Sequence, residues 1–467
     1  MSFNYGNSLF DNTMNRNRNS GIYVRTLFGQ SIHDNPVPIW TANKENNPFV
    51  AFQDPITGNT IGLNKDILSY GYLALGAPGT GKTNLFNMIL SRLLATQKEN
   101  DVIIIFDTKG DYLEEFGNKI PEMDKVIIGA GEEYRSITGY HNIFEEIMPK
   151  AKDRKLVYTY DCDIDALDVS SQLFQKMNSD VQPVFPAMSE QIFAGILIFF
   201  MRTYWRGKQE KLNNKDLVSF FTSKTNEDLK KVFELEYMED QRSCIDYINN
   251  KSNQTQGVNS YIGSVLKKMF IGPFAETDWS REFSMKSIIE SNEKKVVFIE
   301  YDLKRGHALA PMYGVMIDRA LANALGGRQN ERKNVFILLD EMLLLPKLNH
   351  LSNSLNFGRS RGVKILAGLQ NVSGVIDLYG EAGAKNIIAS FQNMITFKIT
   401  DYDTRQFVRN SLGENYQNYS FSTQKDLNIQ RAGYTVEDWD LYNLGFGEAI
   451  VSIKGEKPFF FKMPEYK

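Results

Sequence analysis

The 467 residues carry 53 Lys and Arg against 56 Asp and Glu, a formal net charge of -3, with hydrophobic residues at 42% and charged residues at 23%. Such a balance excludes a largely disordered chain, and it excludes a histone-like protein that holds nucleic acid by its overall positive field; any DNA contact must come from local patches. The length predicts two to three domains.

In chain order, only the Asn-rich first twenty residues read as loose. The N-terminus lacks a basic stretch followed by an apolar one, so no secretory signal is expected. The most apolar run, 192–201, is shorter than the about 20 residues needed to cross a bilayer. The expectation is therefore an intracellular protein without a transmembrane helix. Cys162 and Cys244 fit a reducing compartment as free thiols, with a lone disulfide as the alternative, and neither they nor the four histidines show metal-ligand spacing.

Residues 1–64 read as a β-rich segment, with strands at 22–24 and 49–52 and a turn at 55–59. From 65 to 162 the pattern is that of the first part of a nucleotide-binding domain. A buried strand at 72–75 leads through a glycine-rich loop into an apolar-periodic helix with Leu85, Met88, Ile89 and Leu93, and further strands fit 102–106 and 125–128. Between 163 and 288 the strand signal fades and amphipathic helices take over, for example 192–204 and 226–235, which predicts an all-α insertion. Over 289–467 the domain resumes, with strands at 296–299, 335–339, 364–367 and 394–397, a helix at 310–325, and a closing antiparallel pair at 448–453 and 458–462. The fold class predicted is α/β, with a central, mostly parallel sheet of RecA-like P-loop type.

The glycine-rich loop is Gly76-Ala77-Pro78-Gly79-Thr80-Gly81-Lys82-Thr83, a complete match to G-x-x-x-x-G-K-[ST] in the strand–loop–helix context that this motif requires. Glycines let backbone N–H groups turn inward around phosphate oxygens, and the helix N-terminus adds its partial positive charge there. Lys82 is expected to reach the β- and γ-phosphates of ATP and the Thr83 hydroxyl to ligate Mg²⁺. Asp340-Glu341 follows five apolar residues at a strand's carboxyl end, where open α/β sheets place ligands. Asp340 is expected to hold Mg²⁺ through water, and Glu341 to orient and deprotonate the attacking water.

The loop Gly358-Arg359-Ser360-Arg361-Gly362 offers guanidinium groups suited to the γ-phosphate of a neighbouring subunit; a solvated basic turn is the plainer reading. Gln370, at the end of the strand 364–367, is placed to sense the γ-phosphate. Arg202, Arg206, Lys208, Lys211 and Lys267-Lys268 are the densest basic groups near aromatic residues, among them Tyr204 and Trp205. They suit either phosphate contact without base reading or an ordinary solvated helix face.

In this order, the P-loop, Asp107-x-Lys109-Gly110-Asp111, the helical insertion, Leu339-Asp340-Glu341, the 358–362 loop and Gln370 resemble the conjugative type IV secretion coupling proteins. Tyr379-Gly380, the stretch 387–403 and the closing strands add to a likeness spanning about 65–460. That family belongs to the FtsK/HerA superfamily of hexameric, ring-forming DNA pumps. The resemblance implies an ATP-driven DNA translocase, working as a homohexamer. Lys82 and Thr83 would bind nucleotide and Mg²⁺, Asp340 and Glu341 would complete hydrolysis, and Gln370 would couple it to motion. Arg359 would be the finger supplied in trans, with Arg361 second choice. It further implies a relaxase or other cargo protein meeting the all-α segment, and delivery of single-stranded DNA, independent of sequence, to a membrane channel.

Family members usually begin with two transmembrane helices, whereas here the P-loop follows only 75 residues. Either an anchor protein binds residues 1–60 and holds the chain peripherally at the inner face of the membrane, or this is a soluble branch with another cargo. A motor moving protein and a non-motor ATP-binding switch are the competing functions.

Overall fold

The computed structural model describes residues 22–32, 50–151, 155–175, 184–209, 211–248, 253–278, 280–291, 293–326, 333–421 and 424–467. The first twenty residues and Phe49 lie outside them, as does most of the stretch assigned to an anchor. In chain order the described strands are β1 (Ile22–Gly29), β2 (Val50–Gln53), β3 (Thr60–Leu63), β4 (Tyr72–Leu75), β5 (Val102–Asp107), β6 (Lys125–Gly129), β7 (Tyr140–His141) and β8 (Glu282–Phe283). They continue with β9 (Lys295–Glu300), β10 (Val335–Leu339), β11 (Val363–Leu369), β12 (Asn393–Thr396), β13 (Glu414–Phe421), β14 (Gln424–Tyr434), β15 (Glu448–Ser452) and β16 (Phe459–Lys462).

Nine of these strands make the central sheet, ordered β16-β15-β12-β4-β11-β10-β5-β9-β6. The seven from β12 to β6 are parallel. β15 and β16 close one edge antiparallel, as expected for the closing pair. Every residue of β4, β5 and β10 is buried. A parallel sheet covered on both faces requires this, and it is why these strands read as unbroken apolar runs.

Alternate residues of one strand feed two cores. Tyr72 and Ala74 of β4 and Ile103 and Ile105 of β5 pack with Leu85, Phe86 and Ile89 of the helix Lys82–Ala95. Leu73, Leu75, Ile104 and Phe106 face the other way, toward Phe193, Tyr313 and the helical segment. Each fully buried Leu or Phe contributes about 1.5–3 kcal/mol relative to exposure. Gly368 of β11 permits a close approach to the end of β10, because a Cβ there would lie 2.0 Å from the Asp340 carbonyl oxygen. Gly368→Ala is expected to destabilise the fold by about 3 kcal/mol, since backbone must move to admit the methyl; a thermal melt checks this.

Between β7 and β8 the main described elements are helices, including Asp161–Phe174, Val184–Trp205, Asn214–Ser223, Asn226–Phe233 and Asn253–Met269. Thr225 and Asp228 form a reciprocal capping box at the start of Asn226–Phe233. The apolar run at 192–201 turns out to be the middle of a 22-residue helix, long and apolar enough by length and composition to cross a membrane. Within this fold 61% of its most apolar window is buried. Ile192, Phe193, Ile196, Leu197 and Met201 pack fully into the core, so the helix is explained as a core element.

The strands of the N-terminal stretch pair in two places. β2 and β3 form an antiparallel hairpin whose Val50, Phe52, Ile61 and Leu63 join the core beneath the helix Lys82–Ala95. β1 pairs antiparallel with β13, nearly 400 residues later, and β13 pairs with β14. That three-stranded sheet was not predicted, because Asn, Gln, Ser and Asp interrupt β13 and β14 and leave no apolar alternation to read. Cys162 and Cys244 are both buried and free.

Candidate functional site

The site is assembled from the carboxyl ends of four adjacent parallel strands. After β4 the chain turns at Gly79 (φ +72°) and Gly81 (φ +121°), conformations that suit glycine, and enters the helix at Lys82. Gly76 is held by its N–H to the Leu369 carbonyl at 3.1 Å, and Ala77 by its N–H to the Lys398 carbonyl at 2.9 Å. A Cβ on Gly76 would sit 2.8 Å from the Phe397 Cβ. The Thr80 hydroxyl closes the loop onto the Ala77 carbonyl at 2.8 Å. Lys82 Nζ lies across it, donating to the carbonyls of Gly76 at 2.5 Å and Ala77 at 3.1 Å. Burial lowers the Lys82 pKa, while Glu341 and Asp340 oppose that shift and Lys109 adds to it.

β10 brings Asp340 and Glu341 to the same cavity, two strands from the P-loop, with β11 and Gln370 between. Both carboxylates are more than nine-tenths buried. Asp340 is gripped by two hydroxyls: Thr108 donates to Oδ2 at 2.5 Å and Tyr112 to Oδ1 at 2.8 Å. Burial pushes Glu341 up to about 7, against the opposing pull of the Gln370 amide and the Lys82 ammonium. Its Oε1 is buried without a hydrogen-bond partner.

Thr108 and Tyr112 are the residues that sequence reasoning missed. Their signal was the adjacent Asp107-x-Lys109-Gly110-Asp111. Asp107 shapes that turn by accepting four backbone N–H groups, from Lys109 and Gly110 at Oδ1 and from Tyr112 and Leu113 at Oδ2. The turn thereby delivers both hydroxyls to a carboxylate 228 or more positions away.

The resulting cavity, of about 460 Å³, is lined by Pro78, Gly79, Gly81, Lys82, Thr83, Asn84, Thr108, Lys109, Leu303, Asp340, Glu341, Leu344, Gln370 and Phe446. Gly76 and Thr80 support the loop from behind. These residues fit a magnesium-bound triphosphate: side-chainless amides and two lysines for the phosphates, a Thr83 hydroxyl and an Asp340 carboxylate for the metal, and an unpartnered Glu341 oxygen. Among the described residues no group of three or more carboxylate, imidazole or thiol side chains could hold a metal. Mg²⁺ suits the sparser set, since it keeps several waters and substrate phosphates as ligands.

Arg359 is not part of this cavity. It sits in the turn Gly358–Arg361 at the opposite, amino end of β11, 4.3 Å over the Tyr70 ring and 3.5 Å from Asp66. Seven residues of strand put about 20 Å between that turn and Gln370, so no reach within one chain joins them. Arg361 shares the same turn.

Of the basic groups considered for DNA, Arg202 is removed. Its guanidinium is almost buried and bonded to Asp163 and Asp240 at 2.6 Å each and to the Tyr158 hydroxyl at 2.9 Å, so it holds helices together. Arg206 lies 4.2 Å over the Tyr237 ring. Lys267 and Lys268 are exposed on the last turn of Asn253–Met269.

The profile of the type IV secretion-system coupling protein DNA-binding domain matches residues 55–426. The chain belongs to this family. It is 24% identical over 142 residues to the coupling protein TraD of Escherichia coli strain K12, a match covering 30% of this chain and 19% of that much longer relative. Its fold is that of the conjugative coupling protein TrwBdeltaN70 in an unbound form, with a TM-score of 0.73, 20% identity and 95% of each chain covered. A structure of TrwB in complex with ADP and Mg²⁺ gives 0.71 at 20% identity over 95% of each chain. VirB4 of Thermoanaerobacter pseudethanolicus gives 0.53 at 14% identity over 91% of this chain and 98% of that one. A coupling-protein member of the P-loop ATPase fold is thus established for this chain, with the RecA-like sheet and helical segment expected from its sequence.

Proposed function

We propose that this coupling-protein chain is an ATP-driven DNA translocase of a conjugative type IV secretion system. It binds ATP and Mg²⁺ and works as a homohexamer whose sites lie between subunits. The observation that carries the reading is the convergence of Lys82, Asp340-Glu341 and Gln370 from β4, β10 and β11 on one cavity at the carboxyl end of the sheet. Nucleotide complexes of the structurally similar TrwB support the same ligand.

The P-loop amides and Lys82 hold the phosphate chain, with Lys82 releasing the Gly76 and Ala77 carbonyls to do so. Thr83 and Asp340 hold the metal, which screens the phosphate charge. Glu341 orients the attacking water and takes its proton, and Gln370, in contact with Glu341, relays the state of the site along β11. Because Arg359 lies at the far end of that same strand, a finger role for it requires the neighbouring subunit's cavity.

Tyr112 is a positioning residue for Asp340. Tyr112→Phe is expected to raise the Mg²⁺ concentration needed for half-maximal ATPase by roughly ten- to a hundred-fold at little cost to saturated turnover, the loss of one hydrogen bond to a charged group being worth about 1.5–3 kcal/mol. A magnesium titration of the ATPase rate checks this.

Residues 65–162 and 289–467 are read as the nucleotide-binding domain and 163–288 as the part that meets relaxase or other cargo. With a net charge of -3, DNA contact falls to local cations such as Lys267, Lys268, Arg206 and Lys208. Binding of single strands independent of sequence suits this arrangement, at the cytoplasmic side of the membrane beside a channel or anchor protein. The test is ATPase rate with and without single- and double-stranded DNA at low salt, with particle size followed in parallel. Stimulation together with a six-membered ring is the expected result. A rate that DNA leaves flat removes the translocase reading in favour of a protein cargo or a switch.

A further inference from the structure

Phe446 is 57% exposed, yet it sits on a turn that is hydrogen-bonded to the P-loop. Gly447 N–H donates to the Thr80 carbonyl at 3.0 Å, Met463 N–H to the Gly447 carbonyl at 2.8 Å, and Gly445 N–H to Glu448 Oε2 at 2.7 Å. The Lys462 ammonium donates to the carbonyl of Phe446 itself. Gly447, at φ +69°, carries no side chain, and a Cβ on Gly81 would lie 3.4 Å from its Cα. The backbone that carries this phenyl ring is thus fixed at the lip of the phosphate cavity, and more than half of the residue lies in solvent.

The strand order says which end of the ligand meets this ring. The triphosphate reading places the γ end toward β10, because Asp340 and Glu341 follow that strand and Thr108 and Lys109 follow β5 beyond it. Phe446 immediately precedes β15, two strands from β4 on the opposite side. Leu303, like Phe446 a large exposed hydrophobic residue of the lining, follows β9 and lies on the γ side. A nucleotide anchored at Lys82 with its terminal phosphate toward β10 therefore directs its base toward Phe446.

We propose that Phe446 is the stacking platform for the nucleobase. This rests on the nucleotide reading given above and deepens it. Ring-face stacking recognises any base and gains with ring area, so purine nucleotides bind more tightly than pyrimidine ones and ATP and GTP bind alike.

The test is calorimetric titration of the full chain with ADP, CDP and inorganic tripolyphosphate, for the parent, Phe446→Ala and Phe446→Tyr. Phe446→Ala is expected to weaken ADP by roughly five- to a hundred-fold, the worth of one base–aromatic stack. It should narrow the gap between ADP and CDP and leave tripolyphosphate unchanged, and Phe446→Tyr should restore ADP binding. Unchanged ADP affinity in Phe446→Ala overturns the platform and leaves the nucleotide site standing. An equal loss for ADP and tripolyphosphate also overturns it, since the turn would then act through the P-loop. Failure of the parent chain to bind either ligand brings down the nucleotide reading itself.

Discussion

Arg359→Ala should lose ATP turnover by roughly 10³- to 10⁵-fold, the range for removing a trans-acting arginine, while nucleotide affinity stays at the parent value. The prediction follows from position. Within one chain Arg359 is held at the amino end of β11 by Tyr70 and Asp66, an entire strand's length from Gln370, so any part in hydrolysis runs through a neighbouring copy. Its present contacts are exposed and weak: a surface ion pair at 3.5 Å contributes about 0–1 kcal/mol, which leaves the side chain free to exchange Asp66 for a phosphate. Mixing Arg359→Ala with Lys82→Ala subunits should recover part of the activity, because an interface that takes its P-loop from the Arg359→Ala subunit and its finger from the Lys82→Ala subunit is intact. Parent-like turnover in Arg359→Ala, with loss in Arg361→Ala, would move the finger by two positions along the same turn. Loss in neither would remove the turn from the mechanism.

Glu341→Gln is expected to slow hydrolysis by roughly 10²- to 10⁴-fold, the worth of a positioned general base, with ATP binding and ring assembly retained. Glutamine fills the same space and keeps the contact with Gln370 but accepts no proton. If transport survives the substitution, hydrolysis is incidental and a switch replaces the motor. The environment of Glu341 also sets a pH dependence. Burial raises its pKa to about 7, and a base acts only when deprotonated, so kcat/KM should rise with pH through about 7 and level off above it. A profile that stays flat from pH 5.5 to 8.5 would exclude Glu341 as the group whose ionisation limits the free enzyme.

Much of this site could be read directly from the sequence, because its parts are local. The P-loop needs glycines at fixed offsets between a buried strand and a helix, and that requirement is met within eight residues. The strands of the central sheet are buried on both faces, so β4, β5, β9 and β10 appear as apolar runs with nothing else to confuse them. Asp340 and Glu341 were recognisable because they end such a run.

What the sequence determined by itself, then, was the chemistry available and the order in which it appears. The tertiary structure alone decided which groups meet. Strand order, which no local pattern encodes, places β11 between β4 and β10 and so sets Gln370 between Lys82 and Glu341. It also brings Thr108 and Tyr112 onto Asp340, takes Arg202 away from DNA into an ion-pair cluster, and pairs β1 with β13 across the length of the chain. The physical reason is that helix caps, turns and apolar periodicity are set by neighbours a few residues apart, whereas pairing and side-chain contact are selected by the burial of whole faces at once.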